Sequence, residues 1–157
     1  AGGLSATVIL GELDGARSPG TTHSPLVGAD LTLREGAEHR LPLEPGFEYA
    51  VLAMTGSVDV DGVRVEPGSM LYLGCGRREL PLLAGSDGSL LLLGGEPFEE
   101  EIVMWWNFIG RTGEEIARAR ADWEAGSRFG EVHGYAGPRL AAPRLPAVPL
   151  KPRGRAR

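Results

Sequence analysis

The chain has 157 residues, of which 42% are hydrophobic and 24% are charged. This is the composition of one folded globular domain, and it excludes a disordered chain and two domains of ordinary size. The single cysteine, Cys75, excludes an internal disulfide and a multi-cysteine zinc cluster, and no apolar run approaches the ~20 residues of a transmembrane helix. We therefore expect a soluble, cytoplasmic protein without membrane contact.

A basic C-terminal tail is hidden in the net charge of −5. Residues 138–157 carry no acid and six cations, which are Arg139, Arg144, Lys151, Arg153, Arg155 and Arg157. The rest of the chain has a net charge of −11. Such a tail favours an acidic surface of its own protein or of a neighbour. Nucleic acid is not an expected partner, because the tail has no aromatic residue that could stack on a base.

The first residue is Ala1 and the first methionine is Met54. Removal of an initiator methionine before a small alanine would explain this start. The chain could equally be a piece of a longer protein. Both explanations stay open at this stage.

The first half of the chain predicts short strands separated by turns. Apolar runs and period-2 alternation predict strands over residues 6–13, 29–34, 39–43 and 47–53, with a turn-rich loop over 15–25. The 24 glycines and 12 prolines also favour β architecture with many turns.

A β-hairpin is predicted at Asp61-Gly62, since alternating valines flank this dipeptide on both sides. The two turn positions of such a hairpin require positive φ, which Asp and Gly tolerate. Further strands are predicted over 69–73, 79–83 and 89–93. Short strands at this spacing are typical of a sandwich or barrel.

The pattern changes after residue 95. Residues 102–108 predict a last strand or the approach to a helix. Thr112 and Glu115 form a capping-box sequence, with Gly126 placed to end the helix. Three residues share one helical face, Ile116, Ala119 and Trp123, and Glu114 can pair with Arg118. The prolines that follow favour an extended arm, so the predicted regions are a barrel over 1–110, a helix packed on it over 111–130 and a tail over 131–157.

Residues 94–130, GGEPFEEEIVMWWNFIGRTGEEIARARADWEAGSRFG, closely resemble the C-terminal part of pirin-like proteins. In that family a GGEP turn, a WWNF strand, an EEI-containing helix and a closing RFG occur in this order. The resemblance implies an all-β, cupin-type double-stranded β-helix (a jelly-roll barrel) with one C-terminal helix and an extended Pro-rich arm. It also implies a bicupin, whose N-terminal half holds a metal, usually iron, through three histidines and a glutamate. Some members show quercetin dioxygenase activity, and some animal members are redox-sensitive transcriptional co-regulators.

The cupin metal pattern fails in this chain. Aligning Gly56 with the glycine of the first cupin motif puts Tyr49 at the glutamate position, with Glu48 on the opposite strand face. The histidine positions then fall on Leu43 and Pro45, or on Pro42 and Glu44, and the third falls on Leu71 in the motif of Gly68. The chain's own histidines, His23, His39 and His133, are far apart in sequence. We predict no metal and no cofactor in this chain, and iron or another divalent metal in the N-terminal domain of a full-length homologue.

No catalytic residue is predicted. Aromatic residues near the C-terminus are predicted to form an interface: Trp105, Trp106, Phe108, Trp123 and Phe129. Trp105 and Trp106 should point to opposite faces, one into the core and one toward the helix or a partner. Residues predicted to line the barrel lumen are Tyr49, Met54, Tyr72 and Cys75. Two arginines near Cys75 could make its thiol reactive, although a small residue at a turn is the favoured interpretation.

Two functional hypotheses follow. In the first, the chain is the non-catalytic half of a quercetinase-like bicupin and packs against the N-terminal cupin of the same protein or of a second subunit. In the second, it is a stand-alone interaction module, comparable to a co-regulator or to a cupin that binds a small molecule. The substrate and the oligomeric state are not predictable from the sequence.

Overall fold

The computed structural model describes residues 2–153, which form mostly β-sheet and one α-helix. The contacts of the chain fall into two compact units that divide between Pro97 and Phe98. The first unit contains eleven strands: β1 (Leu4–Leu10), β2 (Glu12–Leu13), β3 (Ala16–Arg17), β4 (Leu26–Leu33), β5 (Glu38–Pro42), β6 (Glu48–Thr55), β7 (Val58–Val60), β8 (Val63–Val65), β9 (Met70–Gly74), β10 (Glu79–Ala84) and β11 (Gly88–Gly95). The second contains β12 (Val103–Trp105), β13 (Phe108–Gly110) and α1 (Gly113–Ala125).

Two antiparallel sheets build the first unit. One has the order β1-β4-β11-β6-β9 and the other the order β5-β10-β7-β8. Strands such as β6 and β10 alternate buried apolar and outward residues. The two sheets contribute to one core that includes Leu31, Val51 and Leu92 from the first and Val60 and Leu82 from the second. This is the two-sheet, jelly-roll arrangement that the sequence predicts.

The predicted hairpin at Asp61-Gly62 is confirmed, with φ of 53° and 81° at the two turn positions. A second Asp-Gly hairpin, between β2 and β3, was not predicted. Asp14 and Gly15 have φ of 47° and 77°. The strand predicted over 6–13 ends earlier, at Leu10, because Gly11 turns the chain with φ 73° and packs against the carbonyl of Leu26. The β2–β3 hairpin gave no sequence pattern, because strands of two residues are too short to show the period-2 alternation of a β-strand.

The second unit is a hairpin packed on a helix. Thr112 caps α1, since its hydroxyl accepts a hydrogen bond from the Glu115 amide at 3.2 Å, and Gly126 ends it with φ 71°. The reciprocal half of the predicted capping box is wrong. The Glu115 carboxylate accepts from the Arg111 amide at 2.6 Å, one residue earlier than predicted. Among the described residues, no helix combines the length and apolar character that a membrane span requires.

Trp105 and Trp106 do not take opposite faces of one strand. Trp105 ends β12, and Trp106 begins the two-residue turn to β13 with a positive φ of 51°. Both side chains are partly buried against the same apolar cluster, whose most buried members include Phe108 and Ile116. This hairpin is predicted as part of the barrel region, 1–110, whereas in the structure it belongs to the second unit and contacts α1.

The Pro-rich tail lies on α1 of its own unit. The Trp123 indole donates to the Leu140 carbonyl at 2.7 Å, and the Glu124 carboxylate accepts from the Ala142 amide at 2.7 Å. Near its end, Arg153 exchanges two backbone hydrogen bonds with Ile102. The tail is therefore held without regular structure up to residue 153. Arg155 and Arg157 lie outside the described residues.

Candidate functional site

Three of the positions that the cupin pattern assigns to metal ligands belong to the apolar core or pack against it. Leu43 and Tyr49 are buried in the core between the two sheets, and Leu71 packs against the same core. Alternation along β6 points Tyr49 inward, as a ligand in that position would point. Two isobutyl groups and a phenol thus lie at three ligand positions, and these groups do not suit a divalent metal site.

The hydroxyl of Tyr49 is held by the main chain of Glu44. It accepts from the Glu44 amide at 2.9 Å and donates to the Glu44 carbonyl at 3.3 Å. Burial raises the pKa of the Tyr49 phenol, because the ionised form would lose hydration, and the backbone hydrogen bond offsets part of this increase. Tyr49 is therefore a neutral core residue that fixes the loop before β6.

The remaining candidate ligands do not converge. Glu48 points to the outer face of the sheet, as predicted, where its carboxylate accepts from the Tyr72 hydroxyl at 2.8 Å. Pro42 and Glu44 are exposed and Pro45 is half-buried. His23 and His133 are exposed and His39 is half-buried on β5. Within residues 2–153, no three His, Cys, Asp or Glu side chains are grouped closely enough to hold a metal ion.

Three of the four predicted lumen residues lie elsewhere. Tyr49 is in the core, but Met54 and Tyr72 are 55% and 60% exposed, and Cys75 is exposed in the turn after β9. The prediction is wrong for these three. Alternation on β6 places Val51 and Ala53 inside and Met54 outside, and on β9 Leu71 and Leu73 face the core while Tyr72 faces outward.

The outer face of the five-stranded sheet carries an exposed apolar patch. Register places Leu91 beside Leu52, and Leu52 beside Met70, in one row across β11, β6 and β9. The next row is Leu93, Ala50 and Tyr72. We call these residues, together with Met54, the outer patch. The exposed fractions of Met54, Met70 and Tyr72 exceed one half, which is uncommon for adjoining large apolar residues.

A cavity of about 610 Å³ opens at the end of the barrel beside Tyr49. The β2–β3 hairpin forms one wall with Glu12, Asp14 and Arg17, and the loop before β6 forms another with Glu44 and Phe47. The hairpin wall is not predictable from the strand pattern, because β2 and β3 have two residues each. The Asp14-Gly15 dipeptide was the available signal, but no alternating residues flank it.

The predicted interface aromatics pack on one another inside the second unit. Trp106 contacts Phe108 and Trp123 edge to face, with ring centroids 5.3 and 5.7 Å apart, and Phe129 stacks on Phe108 at 5.7 Å. Trp105 also stacks on Phe108. Phe108 is buried, and Phe129 is the most exposed of the five at 45%. Their contact with a partner stays a prediction.

Known proteins share both the sequence and the fold. The chain is 43% identical to the "Putative quercetin 2,3-dioxygenase" of Pseudomonas aeruginosa over 92% of this chain and 46% of that protein. It is 30% identical to pirin of Mus musculus over 77% of this chain and 43% of that protein. A crystal structure of quercetin 2,3-dioxygenase from Acinetobacter baumannii superposes with a TM-score of 0.85 and 40% identity, over 96% of this chain and 50% of that one.

The chain thus spans about half the length of the relatives it matches. The fold class predicted from the sequence, a mostly-β cupin with one C-terminal helix, is confirmed by the superposition. Residues 28–130 match the Pirin C-terminal cupin domain, and the chain accordingly belongs to the pirin family, in which it corresponds to the C-terminal cupin.

Proposed function

We propose that this chain is the metal-free partner half of a pirin-type bicupin. In this proposal the companion cupin carries the metal and the quercetinase-like oxygenase chemistry, and this chain supports it by packing against it. The observation that carries the proposal is the filling of the ligand positions by Leu43, Tyr49 and Leu71. The residues at these positions do not fit a metal ion, since leucine side chains offer no ligand atom.

The outer patch supports a partner of cupin type. The relatives named above are about twice as long as the stretch they share with this chain, so a companion of similar size is expected. Covering the patch would contribute about 25 cal/mol per Å² of apolar area removed from water. Methionine and tyrosine are well suited to such a contact, because both give large apolar area with adaptable or amphipathic tips.

Metal content and turnover test the absence of catalysis. The purified chain, expressed with iron in the medium, should contain far less than one metal per chain and should not consume oxygen with quercetin. A full-length relative prepared in parallel is the positive control. Stoichiometric iron in this chain, or quercetin turnover by it, would contradict the proposal.

The docking surface is tested separately with a charge substitution. Met70→Lys puts a cation on the β9 side of the outer patch, whereas Val63→Lys makes the same kind of change at an exposed residue of β8, in the other sheet. Mixing with a companion cupin should shift the elution volume for the parent chain and for Val63→Lys. Met70→Lys should abolish the shift, and an unchanged shift would exclude this surface.

A second candidate function is a stand-alone small-molecule binding module. The cavity beside Tyr49 favours it, because its volume of about 610 Å³ is in the range of ligand pockets. Phe47 offers an aromatic wall, and Glu12, Asp14 and Glu44 favour a cationic over an anionic group. A thermal-shift screen of organic amines with the parent chain and with Glu44→Gln distinguishes this role. Stabilisation that Glu44→Gln weakens supports it, whereas no stabilisation by any amine counts against it.

A further inference from the structure

A second cavity lies wholly within the C-terminal unit, between the β12–β13 hairpin, α1 and the segment that directly follows α1. Its volume is about 430 Å³, and its polar lining includes Asn107, Arg111, Glu115, Arg118 and Arg128. We propose that it binds a small aromatic anion, a carboxylate or phosphate attached to an aromatic ring. It shares no lining residue with the cavity beside Tyr49.

The lining of this cavity is cationic, with three arginines against one glutamate. Arg111 is engaged by the Glu100 carboxylate, and Arg128 lies 3.9 Å from Asp122. Arg118 differs from both, because its guanidinium has no hydrogen-bond or ion-pair partner among residues 2–153. A guanidinium is a planar fork of donors that matches a carboxylate or a phosphate.

The carboxylate in the lining is already in use. The Glu115 carboxylate accepts a hydrogen bond from the Arg111 backbone amide at 2.6 Å, and this bond fixes the carboxylate at the first turn of α1. Gly110 leaves room beside it, since a Cβ there would lie 3.0 Å from the Glu115 carboxylate. The side-chain amide of Asn107, in the turn, likewise has no partner within the described part of the chain and adds donors for an anion.

An aromatic surface adjoins the cations. Phe129 lines the cavity, is 45% exposed, and has the Arg128 guanidinium 5.4 Å from its ring centroid. Phe108 and Arg128 already lie against this ring, so a ligand ring would contact the part of Phe129 that stays exposed while its anionic group faces Arg118. This gives a role to two segments of the family-like stretch, the WWNF turn and the closing RFG, whose Asn107, Phe108, Arg128 and Phe129 all line the cavity.

Phenyl phosphate is the probe for this site, with inorganic phosphate and phenol as probes that lack the ring or the charge. All three tryptophans lie in the second unit, and Trp123 contacts Phe129, so tryptophan emission reports binding here. We expect saturable quenching by phenyl phosphate, weaker binding of phosphate and no saturable effect of phenol. Added salt should weaken the binding, because the attraction is ionic.

Arg118→Gln should lower the affinity for phenyl phosphate about tenfold, as expected for loss of a charged hydrogen-bond donor. Arg144→Gln is the matched control, because Arg144 is exposed in the same unit, lines no part of this cavity and loses the same charge. Its affinity should equal that of the parent. Absence of saturable phenyl phosphate binding, or equal weakening by both substitutions, would overturn the proposal.

Discussion

The ring of Tyr49 lies directly against Gly94 of the neighbouring strand. The two residues are register partners in β6 and β11, and a Cβ built on Gly94 would lie 2.4 Å from Tyr49 Cδ1 and 2.5 Å from Cε1. The first glycine of the GGEP sequence thus lies against the phenol that the cupin pattern aligns with a metal ligand. Tyr49 places its aromatic ring in the core, and Gly94 leaves the space that this ring occupies because it has no side chain.

Gly94→Ala should destabilise the first unit by about 1–3 kcal/mol, because the added methyl group overpacks the Tyr49 ring. Gly28→Ala is the control in the adjacent strand β4. Its Cβ would meet only Leu10 Cβ, at 4.0 Å, so its effect should stay within about 0.5 kcal/mol. Urea unfolding of the two variants measures the difference. Equal stabilities would show that Tyr49 moves aside without cost.

Tyr49→Phe should cost about 1 kcal/mol near neutral pH, since the Glu44 amide loses its acceptor. The variant should also change the alkaline limb of the stability profile. Burial raises the folded-state pKa of Tyr49 above that of the unfolded chain, so the unfolded state releases this proton first as the pH rises. The contribution of Tyr49 is complete below pH ~10 and is lost as the pH approaches the folded-state pKa.

Denaturant unfolding between neutral and alkaline pH checks this prediction. The parent should lose stability above pH ~10 more steeply than Tyr49→Phe, so that the two curves approach each other. Tyr72→Phe is the control, because Tyr72 is 60% exposed and its hydroxyl bonds an exposed-face carboxylate. If the parent and Tyr49→Phe lost stability equally steeply above pH ~10, the alkaline loss could not be attributed to Tyr49.

The sequence predicts most of the barrel because its strands alternate. The Asp61-Gly62 hairpin and the inward position of Tyr49 both follow from period-2 patterns and turn chemistry. The β2–β3 hairpin escaped prediction because two residues per strand show no period. The wall of the cavity beside Tyr49 escaped with it.

Which face of a strand is covered proved harder to predict than the strand itself. Met54 and Tyr72 are predicted to line the lumen, yet both side chains are more than half exposed. Their exposure follows from register, since each alternates with a residue that faces the core. The sequence predicts only a pair of Arg118 with Glu114, which the structure does not show among residues 2–153, and the cavity around Arg118 gave no signal for a different reason. This cavity brings together residues 107–111, 115–119 and 128–129, which only the folding of the hairpin onto the helix makes neighbours.

The tail should depend on Arg120. Its guanidinium donates to the carbonyls of Pro143 and Ala142 at 2.5 and 3.4 Å, so Arg120→Met removes two contacts that hold the tail on α1. We expect faster hydrogen exchange at the Ala142 amide, by about tenfold, and faster proteolysis within the tail. Arg118→Met is the matched control, because it lies on the same helix and has no partner among residues 2–153. Equal protection in the two variants would argue that the prolines alone hold the tail.

Asp87 should support the first unit at neutral pH and lose this role in acid. Its carboxylate accepts from the Glu35 amide at 2.7 Å and from the Arg34 guanidinium at 3.1 Å, and these hydrogen bonds lower its pKa, the backbone bond most. A lowered folded-state pKa means that the stabilisation is present above the unfolded-state value of about 4 and disappears as the pH falls through the folded-state pKa. Asp87→Asn should therefore lower the Tm at pH 7 and converge with the parent in acid. Asp30→Asn is the control, because Asp30 is exposed on β4 and has no side-chain partner in the described part of the chain. This variant should leave the Tm unchanged. A similar loss of Tm in both variants would assign the effect to net charge instead of to the contact of Asp87 with Glu35 and Arg34.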